Sequence, residues 1–200
     1  MTEYSLWSAS VGSYSEKGSR FIARSFTVRS ANEIKSVLSR LKEEFQDASH
    51  ICYAYRIKKE INLDEFSSDS GEPKGSAGIP ILNVLKRRNL VNSAIFVIRY
   101  FGGTKLGIPG LVHAYGAAAE DAVEHAKLKP WVQLCSLLLI YNYEVQKKVE
   151  SVQNKYDANI IQQNFAGSVE TIIEVRESIC EEFIMQLEQI TNGTIQINKV

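Results

Sequence analysis

Two α+β domains are what this 200-residue chain predicts, and three features predict them. Strand-like and helix-like segments alternate along residues 19–127. Lys129-Pro130 then breaks a helical pattern and marks a boundary, dividing residues 1–129 from 130–200. The remainder follows the order β-α-β-β-α-β, the ferredoxin-like arrangement, for which about seventy residues suffice.

Composition fits this reading. With 44% hydrophobic and 23% charged residues, the chain has the balance of an ordinary globular protein. Its start, MTEYSLWS, lacks a basic segment followed by an apolar one. The apolar run near LCSLLLI is far shorter than a membrane span, so a cytoplasmic protein with no membrane partner is expected. Cys52, Cys135 and Cys180 stand singly without CxxC spacing, which predicts buried free thiols rather than a disulfide framework or a zinc ribbon. Lys and Arg outnumber Asp and Glu 18 to 14 in residues 1–129, and are outnumbered 9 to 5 in 130–200. That asymmetry suits a polyanion-facing first half, and it equally suits solvated surface charge.

Taken in order, SRFIARSFTVRS (19–30) is rich in β-branched and aromatic residues and reads as a strand. ANEIKSVLSRLKEEFQ (31–46) sets Ile34, Val37, Leu38, Leu41 and Phe45 at helical spacing. HICYAYRI (50–57) reads as a strand, and KKEINLDEFSSDSGEPKG (58–75) as a long exposed loop. SAGIPILNVLKRRNL (76–90) predicts a helix capped by Ser76 or a neighbour, with Pro80 in its first turn and Ile81, Leu82, Val84 and Leu85 buried. SAIFVIRY (93–100) is apolar enough for a strand buried on both faces. A further helix runs from Pro109 to about Lys127, with Leu111, Val112, Tyr115, Ala118, Ala119, Ala122 and Val123 inward. Beyond the boundary come the strand VQLCSLLLIYN, the helix EVQKKVESVQNKYD, the strands ANIIQQNF and SVETIIEVR, the helix SICEEFIMQLEQIT, and TIQINKV.

Eight of the twelve glycines fall between residues 71 and 116, five of them in YFGGTKLGIPGLVHAYG (100–116). Gly78-Ile79-Pro80 and Gly107-Ile108-Pro109 repeat one device, a glycine loop that ends in a proline at a helix start. Chain order puts both helix N-termini at the same end of the domain, each with unpartnered N–H groups and partial positive charge. Lys74, Gly75, Gly78, Arg99, Gly102, Gly103, Lys105 and Gly107 therefore form a candidate phosphate or nucleic-acid site. Tyr53, Tyr55, Tyr100 and Phe101 would add base stacking if exposed, and otherwise pack in the sheet.

Other chemistry is missing. Neither a P-loop nor G-x-G-x-x-G is present, and His50, His113 and His125 are widely separated without H-E-x-x-H, so no cofactor and no metal are expected. Asp69 and Glu72 suit either acid–base carboxylates or a solvated acidic turn. Ser70, Ser76 and Cys52 have no readable base, and no catalytic residue is assigned.

HICYAYRI, SDSGEPKGSAGIPIL, RYFGGTKLGIPGLVHAYG and the KGSRFIA segment resemble the signature segments of the YigZ/IMPACT family, in its bacterial-type two-domain form. The likeness extends over nearly the whole chain. It implies an N-terminal domain of the left-handed β-α-β type seen in elongation factor G domain IV, and a C-terminal domain like that factor's domain V. Family-motif positions carried over include Asp69, Gly71, Glu72, Pro73, Gly75, Ala77 and Gly78, then Arg99, Tyr100, Gly102, Gly103, Leu106, Gly107, Gly110, Leu111, Tyr115 and Gly116. The chain departs from the pattern at Asp69-Ser70, where the family pairs two acids, and at Ile108-Pro109, where it has Thr-Gly. The resemblance implies a role in translation regulation. The favoured expectation is a non-enzymatic protein that binds RNA, the ribosome or translation factors through the glycine-rich basic site. One alternative is a regulator that binds a protein partner through NVLKRRNL. The other is an enzyme acting on a small phosphorylated substrate beside Asp69, Glu72 and Lys105.

Overall fold

The computed structural model describes residues 2–59 and 62–200. The chain divides into two compact units, Met1–Trp131 and Val132–Val200. Among the described residues, no helix is long and apolar enough to cross a membrane.

The first unit contains β1 (Tyr4–Leu6), β2 (Ser10–Glu16), β3 (Ser19–Thr27), α1 (Ala31–Glu44), β4 (His50–Lys58), β5 (Leu63–Ser68), α2 (Gly78–Arg87), β6 (Ser93–Tyr100), α3 (Gly107–Glu124) and β7 (Leu128–Pro130). Five strands form a sheet in the order β2-β3-β6-β4-β5, every neighbouring pair antiparallel. Both β3 and β4 oppose β6, so they run parallel to each other and α1 is the crossover between them. Central β6 is buried from Ser93 to Arg99, as its unbroken apolar run predicts. Side-chain alternation splits it between two cores. Ile95 and Val97 join Phe21, Ala23, Cys52 and Ala54 beneath α2 and α3. Ala94, Phe96 and Ile98 join Ile34 and Leu41 of α1 on the other face.

Local chemistry explains the ends of α1. Ser30 Oγ accepts from the Glu33 N–H, and Glu33 Oε2 accepts from the Arg29 N–H at 3.0 Å, which satisfies two donors at the helix start. Lys17 and Gly18 both have positive φ, 46° and 79°, and join β2 to β3 as a two-residue hairpin turn. At Gly12 the sheet approaches α3 so closely that a Cβ would lie 2.1 Å from the Ala122 nitrogen. A glycine there is a packing requirement.

The stretch expected to be a loop at 58–75 instead contributes β5, which pairs with β4 from Tyr53↔Ser68 to Lys58↔Leu63. Its residues 60–61 lie outside the described residues. β5 is an edge strand with mixed polar side chains, so neither an apolar run nor strict alternation announces it. Lys129 and Pro130 lie in β7, which pairs with β1, and the Trp131 N–H donates to the Glu3 carbonyl.

The second unit contains β8 (Leu134–Tyr141), α4 (Gln146–Lys155), β9 (Asn159–Phe165), β10 (Val169–Arg176), α5 (Cys180–Thr191) and β11 (Gln196–Lys199). Its sheet order β11-β8-β10-β9 is the ferredoxin-like one. Leu137, Leu139 and Tyr141 of β8 and Val169, Ile173 and Val175 of β10 pack against Val149, Val152, Phe183 and Leu187 of the helices. The expectation of free thiols is corrected for two cysteines. Cys135 at the start of β8 and Cys180 at the start of α5 are joined as a disulfide, an encounter that only the folded topology creates. Cys52 is free and buried.

Candidate functional site

The two glycine segments lie beside each other in the first unit, but their helix starts differ. At α2, Asp69 fills the anion position itself. Its carboxylate accepts from the N–H groups of Gly75 at 2.8 Å, Ala77 at 3.0 Å and Gly78 at 2.8 Å. Gly75 and Gly78, expected to offer their N–H groups to a ligand, therefore offer them to the chain's own carboxylate. Burial opposes ionisation of Asp69, but the three donors outweigh it and hold the carboxyl below its usual value. Ser76, the expected cap, points elsewhere and donates to the Pro73 carbonyl at 2.6 Å.

Glu72 is equally committed. It pairs with Arg99 at 2.5 Å, with side chains only 4% and 7% exposed, and accepts from the Tyr115 hydroxyl at 2.8 Å. The Cys52 thiol reaches the same hydroxyl at 3.4 Å and the Asp69 carbonyl at 2.9 Å. Burial pushes this thiol up to about 12, so it stays protonated and unreactive near neutral pH. Burial also raises Tyr115 well above the ordinary phenol value. The cluster ties β4, β6, α3 and the loop before α2 together. It explains structurally why Asp69, Glu72, Arg99 and Tyr115 occur in this pattern.

Gly102 has a packing role as well: a Cβ there would lie 1.9 Å from the Gly18 carbonyl carbon, and its N–H donates to Ser19 Oγ. Gly103, with φ +86°, faces open space. Gly107, with φ +71°, begins α3.

Here α3 differs from α2. No carboxylate folds back onto its start as Asp69 does, and it has no side-chain cap and no acidic residue in the first turn, which leaves the Gly107 and Ile108 N–H groups without intrahelical partners. They face a cavity of about 420 Å³ lined by Ser49, His50, Glu72, Pro73, Arg99, Phe101, Lys105 and Leu106 among others. Lys105 is exposed at its mouth and forms no ion pair among the described residues. Among the described residues Arg99 Nε is buried without a hydrogen-bond partner, and its guanidinium sits 5.5 Å from the Phe101 ring centre. His50 Nδ1 donates to the Ser70 carbonyl at 3.0 Å, which leaves Nε2 as its free ring nitrogen. A second cavity of about 510 Å³, lined partly by Lys42, Phe45 and Gln46, shares Ser49 and His50 with the first.

Of the sequence-predicted residues, the cavity gathers Arg99, Lys105 and Gly107 with Glu72. Lys74 is exposed outside its lining. Lys86, Arg87 and Arg88 do not form a free basic stripe: Lys86 pairs with Glu65, Arg87 with Glu120, and Arg88 with Glu120 and Glu124. Tyr53 stacks on Phe96, Tyr55 stacks on Phe66, and Tyr100 is covered by Arg20, so these rings pack against the protein. Phe101 alone of the four is half exposed, at 49%. Sequence reading missed Ser49 and His50 as lining residues, because nothing local distinguishes a polar pair before a strand from an ordinary turn.

Known proteins support the assignment of the family. The Impact N-terminal domain model matches residues 17–123, and a model described as a domain of unknown function matches residues 140–194. IMPACT family member YvyE of Bacillus subtilis (strain 168) is 30% identical over 181 residues, covering 90% of this chain and 83% of that protein. An IMPACT family member of Haemophilus influenzae is 30% identical over 182 residues, covering 90% and 88%. A crystal structure described as that of a hypothetical protein superposes with a TM-score of 0.74 at 25% identity, covering 100% of this chain and 98% of that one. On the match through the first unit and the likeness across both units, the chain belongs to the IMPACT family, alongside its YigZ-type members.

Proposed function

We propose that this protein is a non-enzymatic binding protein of the translation apparatus, and that it contacts RNA backbone at the start of α3. The carrying observation is the contrast between the two helix starts. Asp69 neutralises the first, while the second presents unpartnered N–H groups beside Lys105 with no acid in its first turn. Such an end favours an anion electrostatically and offers it donors. Phe101 supplies an exposed ring for one base, and the two cavities that share Ser49 and His50 offer a track for a short single strand. Against catalysis, the buried carboxylate, thiol and phenol are all tied to one another, and Arg99 is neutralised by Glu72.

The test is a salt titration of binding to a single-stranded RNA oligonucleotide. Removing one phosphate contact by Lys105→Ala should weaken binding and reduce the slope of log K against log salt by about 0.7. Phe101→Ala should weaken binding while leaving the slope unchanged. A folded protein that binds no RNA at low salt would overturn this reading. It would favour a protein partner on the exposed apolar Ile79, Phe101 and Ile108, which are 50%, 49% and 56% exposed.

A further inference from the structure

Sheet edges expose unpaired backbone groups, and proteins blunt them with charge, shortness or cover. Among the described residues there are four such edges in the two larger sheets. Three are managed. β2 lies against α3, β5 carries Asp64 and Glu65, and β11 is only four residues long and contains Lys199. The fourth is β9, seven residues reading NIIQQNF with no charge and no proline. It pairs with β10 on one side only. Ile160, Ile161 and Phe165 are 46%, 54% and 59% exposed, and Tyr143, stacked on Phe165, is 48% exposed. Gln163 and Phe165 stand opposite Thr171 and Val169, on the helix-covered face, yet Phe165 remains uncovered.

We infer that β9 is a docking edge for a second copy of this chain, paired antiparallel about a two-fold axis at Gln163. The sequence of the strand selects that partner and register. Centring on Gln163 sets Phe165 of each copy opposite Ile161 of the other, Gln162 opposite Asn164, and Gln163 opposite itself. Apolar residues then meet apolar ones and amides meet amides, with no charged residue from Asn159 to Phe165 to repel its mate. In-register parallel pairing would instead extend to Asp157 beside Asp157. The β9 bulge falls near Ile161, where the register with β10 shifts, and Gln162–Phe165 keep a regular ladder. Two four-stranded sheets would join as one continuous sheet with closed two-fold symmetry.

The mass of the full-length protein in solution, followed by sedimentation across a concentration series, tests this. The mass should double as concentration rises. Gln163→Lys places like charges face to face and should return the protein to monomer, as should Gln163→Glu. An equimolar mixture of the two variants should recover the doubled mass. A far-UV circular dichroism spectrum unchanged from that of the parent, with a cooperative thermal melt, shows that each variant is folded. A parent that stays monomeric throughout, assembles without limit, or dimerises unaffected by Gln163→Lys would overturn the inference.

Discussion

Asp69 and Glu72 lie three residues apart, and their surroundings give them separate structural tasks. Asp69 caps α2 through three N–H groups, so Asp69→Ala should lower stability by about 1–2 kcal/mol in denaturant titration. Its folded-state pKa lies below the ordinary 3.8 because the backbone donors outweigh burial. That stabilisation is therefore complete above the unfolded value and is lost as pH falls through the folded one. The gap between parent and Asp69→Ala should stay constant near neutrality and narrow only below about pH 4. Glu72→Gln is the more damaging change, since it preserves shape but strands the buried Arg99 cation. A loss of about 3–5 kcal/mol is expected, while Glu72→Leu combined with Arg99→Leu should recover a large part of it. A loss in the double variant equal to the sum of the losses in the two single variants would show that the pair is uncoupled. Sequence made these residues visible as a motif but left a ligand site and a solvated turn both open. It could not show that one acid meets an arginine 27 positions later while the other folds back on its own helix.

Elements whose burial follows a simple period were legible from sequence. The stripe of Ile34 and Leu41 marked α1, and the unbroken run of β6 marked a central strand. β2 and β5 were not legible, because SVGSYSE and LDEFSS are small or polar edge strands stabilised mainly by backbone pairing. Nor could isolated cysteines reveal that β8 and α5 bring Cys135 to Cys180. This cross-link closes a span of 45 residues, and restricting the unfolded chain by that amount is worth up to about 4 kcal/mol. Thiol titration of the unfolded, unreduced protein should find Cys52 alone reactive, and reductant should release the other two. Reduction should also shift the unfolding midpoint of the second unit downward. Three reactive thiols before reduction would remove the cross-link from the account.

At the scale of the whole molecule, each unit closes its own core, one around Phe21, Ile95 and Tyr115 and another around Leu139, Ile173 and Phe183. Fragments ending and starting at Trp131/Val132 should therefore fold separately, whereas a cut after Lys129 would sever the β1–β7 pairing at Tyr4↔Pro130. The smaller fragment lies below the roughly 70–80 residues at which a single core supplies ample stability, so its fold should depend on the disulfide. The charge distribution makes the functional consequence specific. Basic residues exceed acidic ones 18 to 14 through residue 129, and acidic exceed basic 9 to 5 afterwards. If α3 is the RNA contact, fragment 1–131 should bind a single-stranded oligonucleotide with the salt slope of the full chain, because every phosphate contact travels with it. Fragment 132–200 should not bind, and adding it in trans should change nothing. A slope that falls by about 0.7 or more in fragment 1–131 would mean that the second unit supplies a phosphate contact of its own.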